Sequence, residues 1–180
     1  MTINKGSTSQ PSHIVPEGKQ TTLGLYVTAQ EAYEMWKAEP KKVNILDVRT
    51  PEEYVFVGHP EMAWNIPIVF VKRQWDADNN EFVVEPNRGF ISYVKGLFAP
   101  TDTLLVMCRT GGRSAKAVNV LANVGFVNVY NIIDGMEGDK LDDPTSVNHG
   151  KRMKNGWKNS GSPWTYEVNP ELIGLPIVKR

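Results

Sequence analysis

The chain has 180 residues, 41% hydrophobic and 22% charged, and its 20 Lys+Arg balance 20 Asp+Glu to a formal net charge of zero with His neutral. That is the profile of one soluble globular domain, large enough to bury roughly 70% of the surface its unfolded chain exposes. A single Cys excludes an intramolecular disulfide, one Cys with three scattered His cannot supply a Cys/His zinc site, and the balanced charge argues against bulk attraction to nucleic acid or an anionic membrane.

No window approaches the roughly 18 consecutive apolar residues of a membrane span. Residues 1–22 are polar, lack the apolar stretch of a secretory signal and read as a loose leader. The expected compartment is the cytoplasm. A chain whose signal had been cut away would read the same, which leaves the periplasm as the alternative.

Thr28 and Glu31 form a capping box that predicts a helix through Ala32, Met35 and Trp36 to the stop at Pro40. Val43 to Val48 is short and branched, a buried strand feeding the loop at Arg49. Thr50 then caps a brief helix with Pro51 at its first position and Glu52 and Glu53 in its first turn. A second short strand is predicted over Ala63 to Pro67. Ile68 to Glu85 reads as a hairpin-like insertion around Asp76-Ala77-Asp78-Asn79-Asn80. Asn87 opens a helix with Phe90, Ile91, Val94 and Phe98 on one face. Thr103 to Met107 is a continuous apolar run, the pattern of a central strand covered on both faces. A helix from Arg113 to Val124, stopped by Gly125, and a strand from Val127 to Tyr130 complete the pattern.

Strands alternating with helices predict an α/β domain with a mostly parallel sheet and helices on both faces, over residues 23–140. Residues 141–180 are Gly, Asn, Lys and Pro rich and read as an irregular tail wrapping the domain, pinned by Trp157 and Trp164. Its basic run Lys151-Arg152-Met153-Lys154, with Lys158, reads as a solvated face or a docking patch for an acidic protein.

Cys108 sits where the most apolar strand ends, the edge at which open α/β sheets bind ligands. The run Cys108-Arg109-Thr110-Gly111-Gly112-Arg113-Ser114 leads directly into a helix. Adjacent glycines let the chain curl so that several N–H groups point into one bowl, and the helix N-terminus and two guanidinium groups add positive potential. Such a bowl binds an anion and favours the Cys thiolate, a usable nucleophile. The alternative is a buried structural Cys, which would need neither the two Gly nor the two Arg.

This run resembles the rhodanese-like sulfurtransferases. The resemblance is carried by Leu46-Asp47-Val48-Arg49-Thr50-Pro51-Glu52-Glu53-Tyr54, Gly58-His59, Asn65-Ile66-Pro67, Cys108 to Ala115, and Gly125-Phe126 through Asp134-Gly135-Met136-Glu137, in the family's order. It implies a single rhodanese domain, a three-layer fold with a central mostly parallel sheet of about five strands, and a six-residue active loop from Cys108 to Arg113. It further implies that the Cys takes a sulfane sulfur from a small anionic donor such as thiosulfate or a polysulfide. The sulfur is held as a persulfide and passed to a thiol, cyanide or a partner protein, with no cofactor and no metal. Arg109, Thr110, Gly111, Gly112, Arg113 and Ser114 are expected to hold the donor, with Arg49 added by family analogy. Arg49 has an equal alternative as an ion pair with Asp47 or Glu53. Asp47 and His59 are expected to give structural support. His13 and His149 carry no role, and Trp36, Trp64 and Trp75 are expected in core or rim packing.

Other functions stay open on the same residues. A phosphatase or arsenate reductase of the same fold has one more residue between the Cys and the gripping Arg than the four here, Arg109 to Gly112. A smaller bowl suits one sulfur atom better than a tetrahedral phosphate. A non-enzymatic binding module and a sulfur carrier are the remaining alternatives. The Ile68 to Glu85 segment is longer than compact members of the family need, and Glu-Gly-Asp follows Met136 where an aromatic is common. Either feature could wall the pocket.

Overall fold

The computed structural model describes residues 14–176, in the order β1 (Tyr26–Val27), α1 (Ala29–Ala38), β2 (Val43–Asp47), α2 (Pro51–Val57), β3 (Trp64–Asn65), β4 (Val69–Asp76), β5 (Glu81–Pro86), α3 (Phe90–Leu97), β6 (Thr103–Met107), α4 (Gly112–Ala122) and β7 (Val129–Ile132). Residues 1–13 of the expected leader, His13 included, lie outside the described residues. Five strands form one sheet in the order β1-β7-β6-β2-β3, and every neighbouring pair is parallel. The other two, β4 and β5, make a separate antiparallel ribbon.

Side chains alternate across a strand, and in β2 and β6 both sets are apolar, so the sheet is covered on both faces. Leu104 and Val106 of β6 join Leu46 of β2 in one core against Phe90 and Val94 of α3 and Ala117, Val118 and Leu121 of α4. Leu105 and Met107 join Val43 and Ile45 in a second core against Ala29 and Ala32 of α1. The Thr28 and Thr50 hydroxyls each accept an N–H from the Glu three residues on, so α1 and α2 start where their capping boxes place them.

One strand is not expected from the sequence pattern and several boundaries differ from it, α4 and β3 among them, which run Gly112–Ala122 and Trp64–Asn65. Strand β1 is too short to leave a periodic signal. Helix α3 begins at Phe90, because the Asn87 side chain accepts the Gly89 N–H at 3.0 Å and donates to the Pro67 carbonyl at 2.8 Å, which holds a turn ahead of the helix. Strand β7 begins two residues late, at Val129 beside Leu104, and carries the buried polar Asn131 within its apolar run.

The described segments before β1 and after β7 are tied to the domain. Thr22 N–H donates to Asn119 of α4 at 2.9 Å, and Asn131 donates to the Lys19 carbonyl at 2.9 Å, so the later part of the expected leader is packed in place. In the tail, Trp157 is fully buried in the second core and its indole N–H donates to the Pro163 carbonyl at 2.9 Å. Thr165 exchanges backbone hydrogen bonds with His59. The basic run is partly internal: Arg152 donates to the Gly138 carbonyl, and the Lys158 ammonium donates to the Val57 carbonyl while lying 4.1 Å from the centre of the Trp164 ring. Trp36 and Trp64 pack against the two cores, whereas Trp75 stands 55% exposed on the ribbon, away from both. Among the described residues no helix is long and apolar enough to cross a membrane.

Trp157→Ala removes a large side chain from a filled core, so the unfolding free energy should fall by about 3–5 kcal/mol. Urea denaturation measures it, and a change within about 0.5 kcal/mol would place the tail outside the cooperative unit.

Candidate active site

Parallel register sets the carboxyl ends of β2 and β6 level, with Asp47 beside Met107. Cys108 is the next residue, and it stands at the sheet's central strand, on the floor of a cleft of about 1060 Å³. The residue is 1% exposed, so a reactant must reach the sulfur through that cleft.

Backbone pairing shapes the loop. Met136 N–H donates to the Cys108 carbonyl at 2.8 Å and Glu137 N–H to the Arg109 carbonyl at 3.0 Å. The first-turn amides of α4, which starts directly behind this loop, have no partner within the helix. Gly111 N–H donates to Cys108 Sγ at 3.2 Å, and the Ser114 hydroxyl lies 3.5 Å from the same sulfur. Gly111 has φ of 98° and Gly135 has φ of 61°; a Cβ on the first would strike the Ile133 carbonyl, and on the second the Cys108 carbonyl. The close approach of the two loops therefore needs glycine at both places.

Arg109, Thr110, Gly112 and Arg113 line the cleft with Cys108. Gly111 and Ser114 are buried behind the sulfur instead of facing a donor. Ser114 donates to Asn131 Oδ1 at 2.7 Å, and Asn131 donates to the Gly111 carbonyl at 3.1 Å, so one buried amide fixes both groups that touch Sγ. Sequence reasoning missed Asn131; a lone amide inside Val129-Tyr130-Asn131-Ile132 was its only signal.

Arg49, expected at the donor, does not line the cleft. It is fully buried, donates from Nε and Nη2 to Asp47 and from Nη2 to the Gly58 carbonyl at 2.8 Å, and its Nη1 has no partner. Burial works against its charge, but the Asp47 carboxylate outweighs that and holds it above its ordinary value. Asp47 is equally buried and also accepts the Arg49 N–H at 3.0 Å, so the pair folds the turn after β2 upon itself. His59 is buried and stacked on Tyr54, with Nδ1 2.9 Å from the Tyr54 carbonyl and Nε2 3.2 Å from the Glu167 carbonyl. His149 is exposed.

Arg113, expected to offer its charge to an anion, directs both terminal nitrogens to Glu53 at 2.6 Å each. Burial opposes both charges. The pairing outweighs it, holding Arg113 above and Glu53 below its ordinary value, and a negative Cys108 raises Arg113 further. The ion pair clamps the start of α4 to α2. Arg109 is exposed, with no ion pair among the described residues. No group of His, Cys, Asp and Glu able to hold a metal occurs among the described residues.

A carboxyl whose native pKa is lowered stabilises the fold above its unfolded pKa and loses that contribution as pH falls through the native value. Glu53→Gln keeps the capping box and removes the charge. The variant should be less stable than the parent by about 1–2 kcal/mol at neutral pH, with the gap closing below the ordinary carboxylate range. A gap unchanged on acidification, read by denaturant titration at each pH, would assign the effect to packing.

Comparison with known proteins gives the family. The family model described as "Rhodanese-like domain" matches residues 28–141. The Rickettsia prowazekii (strain Madrid E) protein named "Uncharacterized protein RP600" is 35% identical over 123 residues, spanning 68% of this chain and 82% of that one. "Thiosulfate sulfurtransferase 16, chloroplastic" of Arabidopsis thaliana is 36% identical over 90 residues, 50% of this chain and 68% of the relative. Among solved structures, Rv0390 from M. tuberculosis superposes with a TM-score of 0.59 at 26% identity, covering 78% of this chain and 96% of its own. The span matched by the family model takes in four of the five sheet strands, the Cys108 loop and the Gly135 loop packed against it, and the chain belongs to the rhodanese-like domain family.

Proposed function

We propose that the chain is a sulfurtransferase in which Cys108 takes a sulfane sulfur from a small anionic donor, thiosulfate or a polysulfide, and passes it to a thiol, cyanide or a partner protein. One observation carries this reading: a lone Cys at the floor of a cleft, its sulfur facing the Gly111 N–H at 3.2 Å under the open first turn of α4. With thiosulfate, the thiolate attacks the outer sulfur, a bond forms from Sγ to that sulfur, and the bond to the sulfonate sulfur breaks. Sulfite leaves with the electron pair. Three negative charges enter, one on the Cys thiolate and two on thiosulfate, and three leave, one on the persulfide and two on sulfite, so no proton, cofactor or metal enters the balance. The amides that faced the thiolate then face the terminal sulfur of the persulfide, and Arg109 supplies mobile positive charge at the mouth.

A nucleophile that must stay a thiol between turnovers suits a reducing compartment, which supports the cytoplasm as its place. The Arabidopsis relative named as a thiosulfate sulfurtransferase supports the reaction class. Asp47, Arg49 and His59 act as positioning residues in this mechanism, because none of them lines the cleft.

Incubation with thiosulfate should add the mass of one sulfur atom to the peptide containing Cys108, and cyanide should remove it as thiocyanate. Cys108→Ser should abolish both while unfolding at the same denaturant concentration as the parent, since an unactivated hydroxyl is a poor nucleophile at neutral pH. Intact and peptide mass spectra read the result. A parent protein that gains no sulfur from thiosulfate or polysulfide would favour the binding-module alternative.

A further inference from the structure

The cleft above Cys108 is much larger than an inorganic sulfur anion. At about 1060 Å³ it lies at the upper end of the range of sites for organic ligands, about 300–1,000 Å³. Its outer wall is the β4–β5 ribbon. Val71 pairs across the ribbon with Val84, and Trp75 with Phe82, so these four side chains share one face. Val71, Phe82 and Val84 line the cleft together with Cys108 and are 43%, 56% and 52% exposed. Trp75 holds the Phe82 ring edge-on at 5.2 Å between centroids.

Charge around this wall is not matched internally. Lys72 is paired with Glu85 and Arg113 with Glu53, whereas Arg73, Arg109 and Lys116 line the cleft with no ion pair among the described residues. Two carboxylates, Glu52 and Glu81, line the same cleft. A ligand with a negative head at the Cys108 bowl and an apolar body along the ribbon would satisfy the cations and cover the wall at once. Thiosulfate would satisfy only the first.

Building on the sulfur-transfer reading above, we propose that the ribbon selects organic sulfane-sulfur anions, donors whose anionic, sulfur-bearing head carries an apolar group. An alkyl or aryl thiosulfonate has this form. The Cys108 thiolate attacks its terminal sulfur, the bond from Sγ to that sulfur forms, the bond to the sulfonyl sulfur breaks, and the organic sulfinate leaves with the electron pair. Two negative charges stand on each side of the step.

The test compares methanethiosulfonate, butanethiosulfonate and 4-toluenethiosulfonate as donors to the full chain, with cyanide as acceptor. In parallel, calorimetry measures methanesulfonate and butanesulfonate binding to Cys108→Ser. A fully buried methylene is worth about fourfold, so along a half-open wall kcat/KM and affinity should each rise by about tenfold from the methyl to the butyl compound. In a Phe82→Ser, Val84→Ser double variant the butyl-to-methyl ratio should fall to near unity. Transfer from every donor at equal efficiency, with equal sulfonate affinities, would overturn the proposal while leaving sulfur transfer intact, and the ribbon would then be read as a protein-docking face. No transfer from any donor, but graded sulfonate binding lost in the double variant, would overturn the sulfur-transfer reading and retain the ribbon's preference. Absence of both would overturn both.

Discussion

Asp134 is the point on which the rest of the site depends. Its two carboxylate oxygens accept the N–H of Ala29, at the first turn of α1, and of Gly156, at the start of the buried tail segment. Burial pushes this carboxyl up, and the two amides only partly offset that. A buried carboxylate is costly unless paired or hydrogen-bonded. Here it joins three distant stretches of chain, because the residues after it, Gly135 to Glu137, carry the backbone groups that pair with Cys108 and Arg109 and, through the Gly135 and Met136 carbonyls, with Trp157 and Lys158. The nucleophile is thus built by main-chain hydrogen bonds from four segments and needs no charged side chain in contact with its sulfur.

This construction separates two kinds of positive charge. Arg49 and Arg113 are fixed by Asp47 and Glu53 and serve as braces. The Gly111 N–H at Sγ is a neutral dipole held at a fixed position, whereas Arg109, next to Cys108 in the chain, is free of an ion pair among the described residues, as are Arg73 and Lys116 at the same cleft. In the sulfur transfer proposed above, a preorganised dipole would need no rearrangement as negative charge moved from Sγ to the outer sulfur.

Much of this was legible in the sequence because the signals were local. Short apolar runs and helical periodicity located four of the five sheet strands and the helices, the capping residues Thr28 and Thr50 gave two helix starts, and Cys108 with Gly111 and Gly112 marked the bowl. What escaped was long-range. Which carboxylate an Arg meets depends on the crossing of α2 with α4, 60 residues apart for Glu53 and Arg113, and spacing cannot reveal it. Asn131 falls just past the expected strand, which ends at Tyr130, and its link to Ser114 appears only once β7 lies beside β6. The tail read as irregular because its ties are mostly single hydrogen bonds and one buried indole, which leave no period.

The β4–β5 ribbon pairs with no strand of the five-stranded sheet, and it leaves and rejoins the body of the protein through a narrow base. There, Ile68 N–H meets the Val48 carbonyl and Asn87 N–H meets the Ile68 carbonyl. Insertions, deletions or substitutions beyond that base change no core contact and no donor to Cys108. The ribbon can therefore change in length and sequence while the loop below it stays constrained by its own hydrogen bonds and core, so stability and the make-up of the cleft's outer wall are uncoupled.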